Sequence, residues 1–148
     1  EGKGEELPLS GGSVKAWVGA LDVEEEGNWL IGGGGARCMW LWHLASRKVV
    51  SAMPTCGAVQ CVSFCGDKML SGGAESALYQ WKRSGNLHSR VSTKEESTFS
   101  LAHRPLNANT DSRVLVTGGT STDLAVYYRG GAELGFYLTI EPQPSHEN

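Results

Sequence analysis

Apolar, aromatic and β-branched residues come in short runs along this chain, and the runs fall in groups of four separated by Gly, Asn, Ser and Asp. Such punctuation reads as strands joined by tight turns, and no window sustains a helical period. The first group predicts strands over Trp17–Val23, Asn28–Gly32, Cys38–Leu44 and about Lys48–Met53. The second predicts Ala58–Phe64, Lys68–Ser71, Ala77–Arg83 and Leu87–Val91; the third predicts Thr98–His103, Arg113–Thr117, Asp123–Arg129 and Glu133–Ile140. The prolines (Pro8, Pro54, Pro105, Pro142 and Pro144) stand at termini or outside the central strands, as a residue with no ladder donor must.

The groups are copies of one another. Leu30-Ile31-Gly32-Gly33-Gly34 leads to Trp42, Met69-Leu70-Ser71-Gly72-Gly73 to Trp81, and Leu115-Val116-Thr117-Gly118-Gly119 to Tyr127. The aromatic follows the last glycine by eight residues each time, and Gly34, Gly73 and Gly119 are offset by 39 and then 46 residues. Those offsets bracket the roughly 40–45 residues of a four-stranded propeller blade. The expected fold is therefore all-β: a partial β-propeller with about three four-stranded antiparallel blades over residues 14–54, 55–93 and 94–141. Residues 1–13 are expected to be a flexible lead and 142–148 a disordered tail.

The glycine pairs are expected to do two things. At the end of the second strand they permit positive φ for a tight turn, and they leave room for the neighbouring blade. Trp42, Trp81 and Tyr127 are expected to fill the space between blades. A buried Trp needs a partner for its indole N–H. Ser71, ten residues before Trp81, and Thr117, ten before Tyr127, are placed to supply one across a hairpin; Gly32 before Trp42 is not.

Composition narrows the function more than the fold. Glycine at 20 of 148 residues, with no Gly-X-Y period, fits many turns. A net charge of −3 gives no basic footprint for nucleic acid. No apolar run approaches the ~18–20 residues that span a bilayer, and the polar start Glu1–Glu6 is not a signal peptide. An intracellular setting favours free thiols over disulfides at Cys38, Cys56, Cys61 and Cys65. The C-x4-C-x3-C spacing of the last three is not a zinc pattern, and Cys61, inside Ala58–Phe64, reads as a small buried strand residue.

Catalytic and cofactor readings find little support. The Gly32–Gly35 run misses a dinucleotide fingerprint because Arg37 stands at the sixth position and a strand follows, so there is no helix N-terminus for a phosphate. No G-x-S-x-G elbow is present. His43, His88, His103 and His146 are scattered, and Glu24–Glu26 reads as a solvated loop. The expectation is no catalytic, cofactor or metal site and no small-molecule substrate. Arg37, Arg83 and Arg129, at or near ends of third strands, are candidate partner contacts, since arginine is enriched at interface hot spots. The repeat positions Gly34, Trp42, Ser71, Gly73, Trp81, Thr117, Gly119 and Tyr127 carry the structural argument.

With these residues the sequence resembles the WD40 family. Trp42-His43, Trp81-Lys82 and Tyr127-Tyr128 stand where the family has its Trp-Asp pair. The family's opening Gly-His pair is absent, and Glu75 and Ser121 stand where it has a turn Asp. Over about Val14 to Ile140 the chain is similar to the later blades of the THO complex subunit 6 family. The similarity lies in Trp17–Leu21, Asn28–Gly35, Leu41-Trp42-His43-Leu44, Met69-Leu70-Ser71-Gly72-Gly73, Tyr79-Gln80-Trp81, Ser84-Gly85-Asn86-Leu87 and Phe136–Ile140. Glu24-Glu25-Glu26 and the tail Glu141–Asn148 are local departures from it. The resemblance implies a nuclear scaffold subunit of the transcription–export assembly that binds other THO subunits, meets RNA indirectly or weakly, and supports mRNA processing and export. A generic WD40 adaptor, such as a ubiquitin-ligase substrate receptor, is the alternative. Closed propellers need about 4–8 blades, so three are expected to leave open faces and edges that drive association until further blades cover them.

Overall fold

The computed structural model describes residues 17–103, 114–128 and 133–140. Within them the chain is all-β: twelve strands in three four-stranded antiparallel sheets, each a simple meander. The first sheet holds β1 (Val18–Val23), β2 (Trp29–Gly34), β3 (Cys38–His43) and β4 (Lys48–Pro54). The second holds β5 (Val59–Cys65), β6 (Lys68–Gly73), β7 (Glu75–Lys82) and β8 (Leu87–Ser92). The third holds β9 (Thr98–His103), β10 (Leu115–Gly119), β11 (Asp123–Tyr128) and β12 (Glu133–Thr139). Pro54 ends β4, an edge strand, where a missing donor costs least. Arg113, Arg129, the other four prolines and the terminal segments 1–13 and 142–148 lie outside the described residues. No described helix is long and apolar enough to cross a membrane.

The sheets stack face to face. One core cluster joins Ile31, Met39, Leu41 and Met53 of the first sheet to Met69, Ala77, Tyr79 and Trp81 of the second. A second cluster joins Leu70 and Leu78 of the second sheet to Leu115, Ala125 and Tyr127 of the third. The leading strands β1, β5 and β9 lie against one another in turn. The middle sheet therefore has a neighbouring sheet on both faces, while among the described residues the first and third each have one on a single face. Period-2 alternation supplies this directly: Leu70 and Leu78 point one way, Met69, Ser71, Tyr79 and Trp81 the other.

The glycine pairs do something other than the expected turn. They lie inside β2, β6 and β10, and the positive-φ glycines among the described residues are Gly27, Gly66 and Gly85 instead. What Gly34, Gly73 and Gly119 supply is room for a carbonyl. The next residue's N–H in each case donates to the leading-strand segment: Gly35 to Trp17 O (3.0 Å), Ala74 to Ala58 O (2.9 Å) and Thr120 to Ser97 O (3.1 Å). A Cβ on the preceding glycine would fall far inside contact distance of that same oxygen. The register slips by one at this point in all three sheets. The other member of the pair makes the expected space for a neighbour. A Cβ at Gly33 would meet Val59 of the second sheet at 2.7 Å, and one at Gly72 would meet Thr98 of the third at 3.1 Å.

The repeat aromatics occupy one register, opposite Leu30, Met69 and Leu115. Trp81 is 4 % exposed and donates its indole N–H to Ser71 Oγ at 2.9 Å. Tyr127 is 1 % exposed. Thr117 is buried beside it in the corresponding register, but its hydroxyl makes no hydrogen bond of ordinary length among the described residues, so the close Trp81–Ser71 bond is not repeated there. Trp42 departs from the expectation: it is only half-buried, because it faces away from the second sheet and no described residue of another sheet covers it.

Two substitutions test this arrangement. Trp81→Ala is expected to lower unfolding free energy by about 3–5 kcal/mol, and Trp42→Ala by no more than about 1–2 kcal/mol, read as denaturation midpoints of the same chain. Equal losses would show that the two aromatics are not in different environments. Gly73→Ala is expected to cost about 2–3 kcal/mol through overpacking against the Ala58 carbonyl, whereas Gly118→Ala, which meets only the flexible end of Leu124 at 3.0 Å, should cost well under half of that.

Candidate interaction site

The three leading strands end together, and the turns beyond them enclose a cleft. It has a volume of about 570 Å³ and is lined by Asp22, the Glu24–Glu26 turn, Ser63, Phe64 and His103, with Val23 and Gly66. Glu25 and Glu26 are exposed; Glu24 is tied by an ion pair to Arg83, which extends from the end of β7 in the second sheet. The Arg83 guanidinium also lies 5.8 Å from the centre of the Phe64 ring. The acidic turn is thus partly fastened to the next sheet rather than wholly free in water.

The cleft lining includes a row of three polar side chains, of which His103 alone stands out in the sequence. Asp22 Oδ2 accepts from Phe64 N at 2.7 Å and from Ser63 Oγ at 3.1 Å, while Ser63 Oγ lies 3.1 Å from His103 Nε2. Each link crosses from one sheet to the next. The order is carboxylate, hydroxyl, imidazole, whereas a hydrolytic triad puts the imidazole between the other two. With its proton given to Asp22, the Ser63 hydroxyl accepts from the imidazole and is not set up to lose a proton to it. The row reads as an inter-sheet fastening. Its members are 41 and 40 residues apart, close to the repeat length, which is the one sequence signal that could have found it.

At the opposite end of the second sheet, Glu75 begins β7. Its Oε1 accepts from Gly57 N at 2.9 Å and its Oε2 from the Tyr79 hydroxyl at 2.6 Å. The Tyr79 ring stacks on Trp81 at 5.4 Å, and Arg90 lies 5.7 Å from its centre. Burial, then the bond to Glu75, pushes the Tyr79 phenol up to about 12. Burial likewise raises the Cys61 thiol to about 12. Cys61 and Cys65 are buried, Cys38 half-buried and Cys56 exposed, all as free thiols. Among the described residues no group of three His, Cys, Asp or Glu side chains is placed to hold a metal ion. Glu95, in the loop before β9, is 1 % exposed, and neither of its carboxylate oxygens is hydrogen-bonded among the described residues.

The candidate arginines are not brought together. Arg37 is exposed in the turn before β3, at a positive φ of 54°. Arg83 follows β7, at the other end of the sheets, where it serves the Glu24 pair. Arg129 lies outside the described residues. Of the repeat positions, Ser71, Trp81, Thr117 and Tyr127 converge on the two seams between sheets, Gly34, Gly73 and Gly119 on the leading-strand carbonyls, and Trp42 on an open face.

The raised phenol gives a pH test with a definite sign. A group holding its proton more tightly in the folded state contributes stability that is complete below the unfolded value and is lost as pH rises towards the folded one. For Tyr79 that window runs from 10.0 to about 12. Over it the native chain is expected to lose on the order of 1–2 kcal/mol more than Tyr79→Phe does, read as denaturation midpoints across the alkaline range. Parallel curves would show that the phenol is not held by Glu75.

Compared with known proteins, the chain matches no protein-family model and no curated protein.

Proposed function

We propose that this chain is a non-enzymatic assembly scaffold, made of three consecutive blades of a WD40-type propeller. The observation that carries this reading is the residue-for-residue equivalence of the three sheets. The glycine–carbonyl approach, the register slip and the aromatic position recur in each, at repeat offsets that suit a blade. The Trp81–Ser71 bond across the inner hairpin supports it further. What varies between repeats is surface: an acidic cleft at one end, Arg37 at the other, apolar faces at the two flanks. That is the pattern of a protein whose work is contact.

The finer reading follows from the sequence resemblance set out above. As a scaffold subunit within the THO part of the transcription–export assembly, the chain would act in the nucleus, hold other THO subunits, meet RNA indirectly or weakly, and serve mRNA processing and export. Its net charge of −3 agrees with protein rather than nucleic-acid contacts.

Co-elution of the purified chain with purified THO subunits in size-exclusion chromatography is the test. Retention is expected with the other subunits and not with RNA alone. Arg37→Ala is expected to weaken that retention several-fold without moving the melting temperature, because Arg37 is exposed and its side chain is not part of a seam. Retention instead by ubiquitin-ligase components would favour the adaptor reading, and failure to bind either would remove both.

A further inference from the structure

The middle sheet departs from its two neighbours at one end. Lys68 and Lys82 stand directly opposite each other on β6 and β7, one step beyond the Met69–Trp81 pair. The corresponding step in the first sheet is Trp29–His43, one beyond Leu30–Trp42, and there the ring centres lie 4.8 Å apart. In the third sheet Tyr128 stands at the place of Lys82, one beyond Tyr127. The pairing of third and fourth strands slips at this level in every sheet, and the residue passed over is Val50, His88 or Gly135 in turn. Tyr128 takes up the room at Gly135, where a Cβ would overlap its ring. The repeat thus accepts ring contacts and small or apolar residues at these places. Of the three sheets, only the middle one sets Lys68, Lys82 and His88 there.

The three side chains form one group. By period-2 alternation Lys68 and Lys82 point the way of Leu70, Leu78 and Gln80, towards the third sheet. Those three are buried, but the row emerges into solvent at its end, where Lys82 is exposed and Lys68 half-buried. The slip in β8 aims His88 into this group, and Lys68 Nζ lies 2.9 Å from its Nε2. An ammonium carries three N–H donors, so the contact with His88 leaves Lys68 two. Among the described residues the ion pairs are Arg83–Glu24 and Lys94–Asp123, and neither lysine takes part in one. Asp67, next to Lys68 in the turn from β5 to β6, is exposed and forms no ion pair with it. Like charges directly opposite each other destabilise a sheet, so this group costs the fold something that the other two sheets do not give up.

We propose that Lys68, Lys82 and His88 form a docking point for an acidic segment of a partner protein, whose Asp or Glu carboxylates lie between the two ammonium groups. Charge that is unfavourable in the sheet alone is then matched on binding. The surroundings suit a polypeptide. β8 is the outer strand of its sheet, so an extended segment laid along its far edge adds ladder bonds of its own. Leu87, beside His88, is 49 % exposed and offers apolar contact. RNA fits less well. The turn that carries Asp67 leads at the same end to the cleft of Glu25 and Glu26, so a backbone charged at every residue would be repelled on one side. The middle sheet has a sheet on each face within the chain, so the docking point lies between covered faces rather than on a flank of the stack. The contact adds to the scaffold reading without depending on which assembly the chain belongs to.

Fluorescence anisotropy of a labelled poly-glutamate peptide titrated with the full 148-residue chain tests this. Binding is expected, and it should weaken as salt rises. Lys82→Ala and Lys68→Ala are each expected to raise the dissociation constant about tenfold, whereas Lys82→Arg should retain most of the affinity. Lys48→Ala removes the same charge at the start of β4 in the first sheet and should leave binding unchanged. Without peptide, Lys82→Ala should melt no lower than the wild type, because it relieves a like-charge opposition. No binding by the wild type, equal losses for Lys48→Ala and Lys82→Ala, or a labelled oligouridylate bound more tightly than poly-glutamate would each overturn the proposal. A Lys82→Ala chain that melts early enough to explain its weaker binding would do so too. Co-elution with THO subunits is read separately, so its loss with poly-glutamate binding intact removes that assembly and keeps this site.

Discussion

A four-stranded sheet has two faces, and here both are apolar, so each face must find a cover or meet water. This requirement organises the molecule. The middle sheet is covered on both sides and carries the tightest core, with Met69, Ala77 and Trp81 on one face and Leu70 and Leu78 on the other nearly inaccessible to solvent. Among the described residues the outer sheets each have a neighbouring sheet on one side. The gradient of burial from the centre outward is a consequence of position in the stack, because the residue types at equivalent places are similar. Leu30 and Trp42 are as apolar as Met69 and Trp81; they are less buried because nothing described lies over them.

Stacking works only if the sheets come close and stay in register, and the glycines provide for both. One glycine of each pair admits the leading-strand carbonyl, so that the next N–H can bond to it. The other admits the Val59 or Thr98 side chain of the next sheet. The missing side chains therefore shape backbone approach within a sheet and packing between sheets. Polar links run alongside: Asp22 to Phe64 N, Ser63 to His103, and Ser51 Oγ to Arg83 O at 3.2 Å. Each is a single hydrogen bond of modest net worth, and their contribution is to fix the lateral position of faces that hydrophobic contact alone would let slide.

Charge is arranged at the ends of the strands, away from the seams. Glu24 and Arg83 meet at the mouth of the cleft, Lys94 and Asp123 meet at 2.6 Å between the second and third sheets, and Glu75 closes the turn above Tyr79. Exposed pairs of this kind add little stability. They do give the two strand ends different character, acidic at the cleft and with exposed Arg37 at the other.

The sequence by itself determined the repeat. Period-2 alternation, glycine pairs and aromatics eight residues on are local signals, and hydrogen-bonded strands must obey them wherever they lie; the all-β class, the twelve strands and the Ser71–Trp81 contact were legible for that reason. Only the tertiary structure decided which face of each sheet is covered, because Trp42 and Trp81 occupy the same place in the repeat and differ in what lies above them. It also decided the purpose of the glycines. A Gly-Gly pair signals missing side chains, but whether the space is used by a turn, a carbonyl or a neighbouring Val59 depends on atoms from other strands. The Asp22–Ser63–His103 row belongs to the same class: three residues about forty positions apart, brought together because neighbouring sheets place equivalent strands side by side.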